Sequence, residues 1–266
     1  MEVIKGVIEM YDYEKMKKEY NNNGYIVFDV GLSDTFLDEL INDMDRINAS
    51  SHGKYNPKYY HYNDYPRLIE GWRNSKNIKR LALDKNIKNV LENLYGEKPL
   101  AFSTINFTKG TEQPLHSDYF HFGSIPELML AGVWVALEDI SPDSGPLSVV
   151  PKSHKFPVIY PEDLGLKIPT SSKKIKENYT VYENYITKTI NDKKLEISTP
   201  SLKKGQALIW AANMLHGAFN IKDHSITRYS QVTHYHFTGC EFYYNPTFSS
   251  REKYNYRDIS ESLIEN

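Results

Sequence analysis

The sequence predicts a mainly β protein with flanking helices, built around a double-sheet jelly roll. Three observations support this fold class. Strand-like runs spread from residue 100 to residue 238, irregular loops rich in Pro, Gly, Ser and Asp separate them, and no strand–helix alternation of a parallel α/β sheet appears. With 266 residues, the chain is expected to form a single domain over 1–266.

The N-terminal part, 1–98, is predicted to be mainly helical and to pack on the core. Residues 13–20 form a first helix, which the Asn-rich turn 21–24 closes, and a strand follows from Gly24. Ser33 is a plausible N-cap for a helix over 34–48, whose apolar residues recur at helical spacing. Residues 77–95 are predicted to form one further helix, ending at Gly96.

The jelly-roll core is predicted over 99–238, with 239–266 as a C-terminal tail. Strands are expected at 100–108, 130–138, 206–211 and 228–238, and one helix is expected within 173–193.

Composition excludes several classes of protein. Apolar residues make up 40% and charged residues 25%, so a sizeable core can form. The net charge of −2, without a basic stripe, argues against a nucleic-acid partner. A single cysteine, Cys240, allows neither an internal disulfide nor a thiolate cluster. No membrane span or signal peptide is evident, so a cytoplasmic location is expected; the oligomeric state stays open.

The segment His116-Ser117-Asp118 is the first motif that suggests chemistry. In an extended segment, side chains two positions apart share a face, so an imidazole and a carboxylate can reach one metal ion. His216, between a strand and a turn glycine, is the best candidate for a third ligand. Two histidines and one carboxylate on one face of an octahedron are typical of non-haem Fe(II) oxygenases. His-X-Asp alone arises easily by chance, since the chain has nine histidines.

Arg228 strengthens the metal interpretation. It lies beyond His216 at the start of a predicted strand, with Ser230 two positions on and on the same face. A fixed guanidinium can bind the far carboxylate of a dicarboxylate that chelates iron at its other end. The alternative is an ordinary surface ion pair.

Four segments together resemble the phytanoyl-CoA dioxygenase family of 2-oxoglutarate oxygenases, over about Gly24 to Phe237. They are Gly110-Thr-Glu-Gln-Pro-Leu-His-Ser-Asp, Gly132-Val-Trp-Val-Ala-Leu-Glu-Asp, Ser144-Gly-Pro-Leu-Ser-Val-Val-Pro-Lys-Ser-His, and Gly205-Gln-Ala-Leu-Ile-Trp followed by Leu215-His-Gly. The resemblance implies a double-stranded β-helix (cupin-like) core. It also implies Fe(II) as cofactor and 2-oxoglutarate and O2 as co-substrates, with release of succinate and CO2.

The resemblance assigns roles residue by residue. It implies that His116, Asp118 and His216 bind the metal and that Arg228 binds the distal carboxylate. Asn106 and Trp134 match positions near the co-substrate, and Thr104 and Ser230 share the faces of Asn106 and Arg228. The candidates for substrate contacts are Tyr119, His121, Phe122, His234 and Arg67. Ala218 and the long turn before Arg228 depart from the family pattern, both in the region expected around the co-substrate tail.

The resemblance implies hydroxylation as the reaction. A small or medium polar metabolite is the expected substrate, because Tyr, His, Asn, Thr and Arg are frequent in the segments 59–67, 118–122 and 233–236. One alternative is an oxygenase acting on an acyl thioester. Another is a jelly-roll module that binds metal or ligand without turnover. Halogenation is disfavoured, because it needs an open coordination position where Asp118 supplies a carboxylate.

Overall fold

The computed structural model describes residues 11–50, 67–244, 256 and 264. The helices are α1 (Tyr13–Asn23), α2 (Asp34–Ser50), α3 (Lys76–Ala82), α4 (Lys85–Tyr95) and α5 (Ser172–Lys193). The strands are β1 (Tyr25–Asp29), β2 (Arg67–Ile69), β3 (Pro99–Phe107), β4 (Phe122–Ile125), β5 (Leu130–Ala136), β6 (Leu147–Val149), β7 (Gln206–Ala211), β8 (His216–Ala218), β9 (Ser230–Phe237) and β10 (Glu241–Tyr244).

A six-stranded antiparallel sheet in the order β1-β7-β5-β9-β3-β2 is the backbone of the fold. Two short strand pairs, β10-β4 and β6-β8, are separate from it. One face of the large sheet packs against α1–α4, and its other face packs against β6 around Trp134, Leu147 and Trp210. Because both faces are covered, every residue of β5 and β9 is buried. The expected jelly roll with flanking helices is confirmed.

Local capping sets the boundaries of the N-terminal helices as the sequence predicted. The side chain of Ser33 accepts a hydrogen bond from the backbone N–H of Phe36 at 3.3 Å, at the start of α2. Gly24 closes α1 with a φ of 84°. A Cβ there would lie 2.4 Å from Nδ1 of His154, so the position requires glycine for space as well as for its backbone conformation.

The predicted helix over 77–95 is in fact two helices. α3 ends at Ala82, and Asp84 begins α4 by accepting hydrogen bonds from the backbone N–H groups of Asn86 at 2.8 Å and Ile87 at 3.1 Å. The apolar pattern continues across the break, because both helices bury one face against the same sheet. Periodicity therefore identified the buried face and missed the break.

The three predicted chain segments are more interwoven than expected. β1 and β2 come from the N-terminal part and yet form the two edges of the large sheet. β10, in the predicted tail, pairs with β4, with Phe242 opposite Ser124. Among the described residues, no helix combines the length and the apolar character needed to cross a membrane.

Asp84→Ala is expected to lower the free energy of unfolding by about 1 kcal/mol, because the first turn of α4 would lose its side-chain acceptor. Asp84→Asn should restore most of the loss, since asparagine caps equally well. Urea denaturation measures both, with Glu39→Ala on the exposed side of α2 as control. Unchanged stability in Asp84→Ala would show that the cap is not needed.

Candidate metal centre and adjoining cavity

An isolated antiparallel bridge brings the two predicted histidine ligands together. The backbone N–H of His116 donates to the carbonyl of His216 at 2.9 Å, and the N–H of His216 donates to the carbonyl of His116 at the same distance. Their ring centroids are 4.5 Å apart. Two segments far apart in the chain therefore present their imidazoles side by side.

The hydrogen bonds of the two imidazoles set their tautomers. Nδ1 of His116 lies 2.9 Å from the carbonyl oxygen of Pro114, and Nδ1 of His216 lies 3.0 Å from that of Met214. A carbonyl oxygen only accepts, so each Nδ1 carries the proton and each Nε2 presents a lone pair. Burial lowers the pKa of both imidazoles, so both are neutral at neutral pH. Neutral imidazole is the form that binds metal.

Asp118 completes a set of three ligand atoms. Its Oδ1 lies 3.6 Å from Nε2 of His216 and 3.9 Å from Nε2 of His116. The three ligand atoms all lie within 4.8 Å of one another, and all three residues are buried. Burial opposes ionisation of Asp118, but the imidazoles of His216, His234 and His116 outweigh it and hold the pKa of Asp118 below its usual range.

Trp210 supports this set, although sequence reasoning assigned it no role. Its indole N–H donates to Oδ2 of Asp118 at 2.6 Å, and its ring stacks on His216 with centroids 4.2 Å apart. Gln113 was also missed, and its amide Nε2 lies 3.1 Å from Nε2 of His116. The sequence offered one indication of their roles: both residues belong to the segments that carry the family resemblance.

Arg228 lies buried at another part of the same cavity. Its Nη1 donates to the carbonyl of Gly145 at 2.6 Å, while its buried Nε has no partner among the described residues. Its guanidinium carbon lies 5.7 Å from the ring centroid of Phe107 and 5.9 Å from that of Trp134. Burial, and then the charge of Arg67, lower the pKa of Arg228 to about 9, so it is still charged at neutral pH.

The ion pairs found among the described residues include none for Arg228. A buried charge without a partner is costly, and an anionic ligand would remove that cost. The arrangement therefore fits an anion-binding position at this end of the cavity.

One cavity of about 400 Å³ joins the three ligand residues to Arg228. Most of its exposed wall area is apolar, although polar and charged side chains make up half of the lining residues. The apolar part is formed by Ile105, Phe107, Phe122, Trp134, Leu147, Ile175, Trp210, Ala218 and Val232. This volume and character are typical of a site for small molecules.

Some of the residues predicted to lie near the co-substrate line the cavity, and others do not. Trp134 lines the cavity. Thr104 and Asn106 are buried on the opposite, helix-covered face of β3, where the Asn106 amide donates to Gln231 at 3.0 Å and contacts Met44. Ser230 is fully buried and outside the lining, although its face is that of Val232 and His234.

A register irregularity in β3 accompanies the burial of Thr104 and Asn106 on the helix-covered face. Pairing with β9 shifts between Ala101 and Ser103, so alternation changes face at that point. Beyond it, Ser103, Ile105 and Phe107 line the cavity. Thr104 and Asn106, which were expected near the co-substrate, therefore lie outside the lining of this cavity.

Four of the five residues predicted to contact the substrate line the cavity. His121, Phe122, His234 and Arg67 line the cavity. Tyr119 is outside the lining, and its hydroxyl hydrogen-bonds to the carbonyl of Ser124 at 3.2 Å. Residues 59–66, which supported the expectation of a polar substrate, lie outside the described residues. Of the segment 233–236, only His234 lines the cavity, and Thr233, Tyr235 and His236 do not, so this segment contributes less polar surface to the wall than the sequence suggested.

Residues 20–228 match the profile of the phytanoyl-CoA dioxygenase (PhyH) family. The chain belongs to that family. This match covers the ligand set, Arg228 and most of the large sheet, and it confirms the family resemblance of the sequence motifs. A search of curated proteins found no match to this chain.

Several solved structures share the fold of this PhyH-family chain. The non-haem alpha-ketoglutarate-dependent carbocyclase SnoK from nogalamycin biosynthesis is 15% identical, with a TM-score of 0.70, over 94% of each chain. The epimerase SnoN of the same biosynthesis is 19% identical, with a TM-score of 0.65, over 90% of this chain and 85% of SnoN. EctD from S. alaskensis is 19% identical, with a TM-score of 0.63, over 88% of this chain and 79% of EctD. At such identities the likeness establishes the fold.

Metal binding is expected to depend only weakly on pH between 7.5 and 6.0. Two imidazoles of ordinary pKa, about 6.5, would become protonated over this range and lose affinity by roughly tenfold or more. Burial lowers the pKa of His116 and His216, so protonation of both rings moves to lower pH and the loss of affinity should be smaller than this. Fe(II) titration under anaerobic conditions at both pH values measures it. A tenfold fall would show that the imidazoles titrate normally.

Proposed function

We propose that this chain is an Fe(II)- and 2-oxoglutarate-dependent oxygenase that hydroxylates a small or medium metabolite. One observation carries the proposal: two neutral imidazoles and one carboxylate converge in a cavity that also contains a buried arginine without a carboxylate partner among the described residues. The nitrogen and oxygen donors, three in number, suit a non-haem Fe(II) site with open positions. A dicarboxylate suits a cavity with a metal at one place and a guanidinium at another.

Iron and 2-oxoglutarate together would supply oxidation of the co-substrate to succinate and CO2 by dioxygen, coupled to oxidation of the substrate. The residues of the chain have the remaining tasks. His116, Asp118 and His216 would hold the metal, and Arg228 would bind the distal carboxylate. Phe107 and Trp134, whose rings lie beside the guanidinium, would exclude water and so strengthen that ion pair.

Known relatives of this fold support the cofactors. SnoN was solved with Fe3+, alpha ketoglutarate and nogalamycin RO, and EctD with 2-oxoglutarate and 5-hydroxyectoine. Their ligands are small molecules. The reactions of the structural neighbours include epimerisation and carbocyclisation, so hydroxylation is the part of the proposal that needs its own product analysis.

The cavity favours a small or medium substrate. A volume of about 400 Å³ must hold the co-substrate as well, which leaves little room for a long chain. The apolar wall around His121, His234 and Arg67 suits a molecule that carries polar groups on an apolar frame. Asp118 would supply a carboxylate where halogenation would need an open position for a halide, so hydroxylation is favoured over halogenation.

His116→Ala is expected to abolish stoichiometric iron binding and all succinate formation, because the metal would lose one of three protein ligands. Wild-type protein should bind one Fe(II) per chain, measured by anaerobic titration and metal analysis. His224→Ala is the control, since it removes an exposed imidazole outside the cavity. Full iron content and turnover in His116→Ala would disprove the ligand assignment.

Arg228→Ala is expected to raise the KM for 2-oxoglutarate on the order of tenfold or more, with little change in iron affinity. A hydrogen bond to a charged group contributes roughly 1.5–3 kcal/mol. Arg228→Lys should recover only part, because an ammonium group cannot make a planar two-point contact. The control is Arg46→Ala, which removes an exposed guanidinium. An unchanged 2-oxoglutarate dependence would remove Arg228 from the site.

Succinate release identifies the substrate class. A panel of polar metabolites, including amino acids, sugars and phosphonates, is compared with a long-chain acyl-CoA, and product mass distinguishes hydroxylation from rearrangement. The expected result is tightly coupled turnover with a member of the polar panel and a product heavier by one oxygen atom. Efficient turnover of the acyl-CoA alone would contradict the proposed substrate class. Iron binding without any succinate formation would favour a non-catalytic binding module.

A further inference from the structure

The two oxygens of the Asp118 carboxylate have different surroundings. Oδ1 faces Nε2 of His216 at 3.6 Å and Nε2 of His116 at 3.9 Å. Oδ2 accepts the hydrogen bond from Nε1 of Trp210 at 2.6 Å and lies 3.4 Å from Nε2 of His234. A metal among the three ligand residues therefore meets Oδ1, while Oδ2 is held by the protein.

The two groups that hold Oδ2 come from neighbouring positions of the large sheet. Gly132 of β5 pairs with Trp210 of β7 on one side and with His234 of β9 on the other. A Cβ at Gly132 would lie 2.2 Å from Cε2 of Trp210, so a larger residue would displace the indole. The absence of a side chain on the middle strand lets the indole lie across it and reach Asp118.

His234 is difficult to explain by packing alone. It is 5% exposed, and its Nδ1 has no hydrogen-bond partner within the part of the chain that the structure describes. An unpaired buried nitrogen is unfavourable, and an apolar side chain would avoid it. The approach of Nε2 to Oδ2 of Asp118 gives a reason for an imidazole at this position.

We infer that the row Trp210-Gly132-His234 restricts Asp118 to binding iron through one oxygen, which keeps coordination positions open for both 2-oxoglutarate and dioxygen. The inference rests on the proposed function. An octahedral ion with three protein ligands has three positions left, two for the co-substrate and one for dioxygen. A carboxylate that chelates through both oxygens would occupy one of these. Trp210 and His234 are thus positioning residues that act through Asp118.

Nitric oxide, a stable probe for the dioxygen position, tests this inference. Wild-type protein and variants are loaded with Fe(II) without oxygen, and nitric oxide is titrated with and without 2-oxoglutarate while electron paramagnetic resonance follows the iron–nitrosyl signal. In the double variant Trp210→Phe/His234→Leu, nitric oxide affinity in the presence of 2-oxoglutarate is expected to fall by about tenfold or more, the size of effect common for groups that orient metal ligands. Without 2-oxoglutarate it should match wild type.

Three further variants sharpen the test. Gly132→Ala should reproduce the loss of Trp210→Phe, because the added Cβ displaces the indole. His234→Gln keeps an N–H donor and should retain the wild-type affinity for nitric oxide in the presence of 2-oxoglutarate. Trp72→Phe is the control, since its indole N–H donates to Glu70, outside the cavity. Thermal melting confirms folding of each variant. If the double variant does not load iron, nitric oxide is titrated into the single variants instead, since each of them keeps one donor to Asp118.

The outcomes separate the two hypotheses. Failure of the wild-type chain to bind Fe(II) and 2-oxoglutarate would overturn the proposed function. If wild type binds both, and iron-loaded variants of Trp210 and His234 bind nitric oxide with wild-type affinity in the presence of 2-oxoglutarate, the single-oxygen inference alone is overturned. A loss confined to the 2-oxoglutarate-bound form supports it, because a merely destabilised site would weaken nitric oxide binding in both forms.

Discussion

The pair of backbone hydrogen bonds between His116 and His216 is the interaction on which the candidate site depends. It joins the loop that follows β3 to β8, and it places two imidazoles of defined tautomer beside each other. Asp118, two residues after His116, then needs only a short turn to direct Oδ1 toward both nitrogens. Main-chain pairing therefore sets the geometry, and the ligand side chains require little freedom to reach it.

A second constraint is the burial of charge in a cavity with largely apolar walls. Asp118 stays ionised because imidazoles and an indole N–H surround it. Among the described residues, the Arg228 guanidinium contacts a backbone carbonyl and aromatic rings and forms no ion pair. Such an arrangement is unfavourable until an anion binds. The cavity thus has a buried guanidinium, Arg228, at one end and three candidate metal ligands at the other. A metal ion bound together with a dicarboxylate would interact favourably with both.

Several local features followed from the sequence because their causes are local. Ser33 and Gly24 set helix boundaries through their own side chain and backbone, and His116 and Asp118 share a short motif that became informative together with the family segments. The break before Asp84 was missed, because the apolar stripe that indicates a helix continues from α3 into α4. A cap residue inside a continuous stripe is ambiguous until tertiary packing selects it.

The sequence by itself determined the family and the class of fold, and it named the three candidate metal ligands and a candidate guanidinium for a carboxylate. Tertiary structure alone decided which face of each strand borders the cavity. Strand alternation shows that Thr104 and Asn106 share a face, but the register shift in β3 and the covering helices turn that face away from the site. It also aligned Trp210, Gly132 and His234, because their contact depends on the pairing of three strands distant in the chain, which no local pattern encodes.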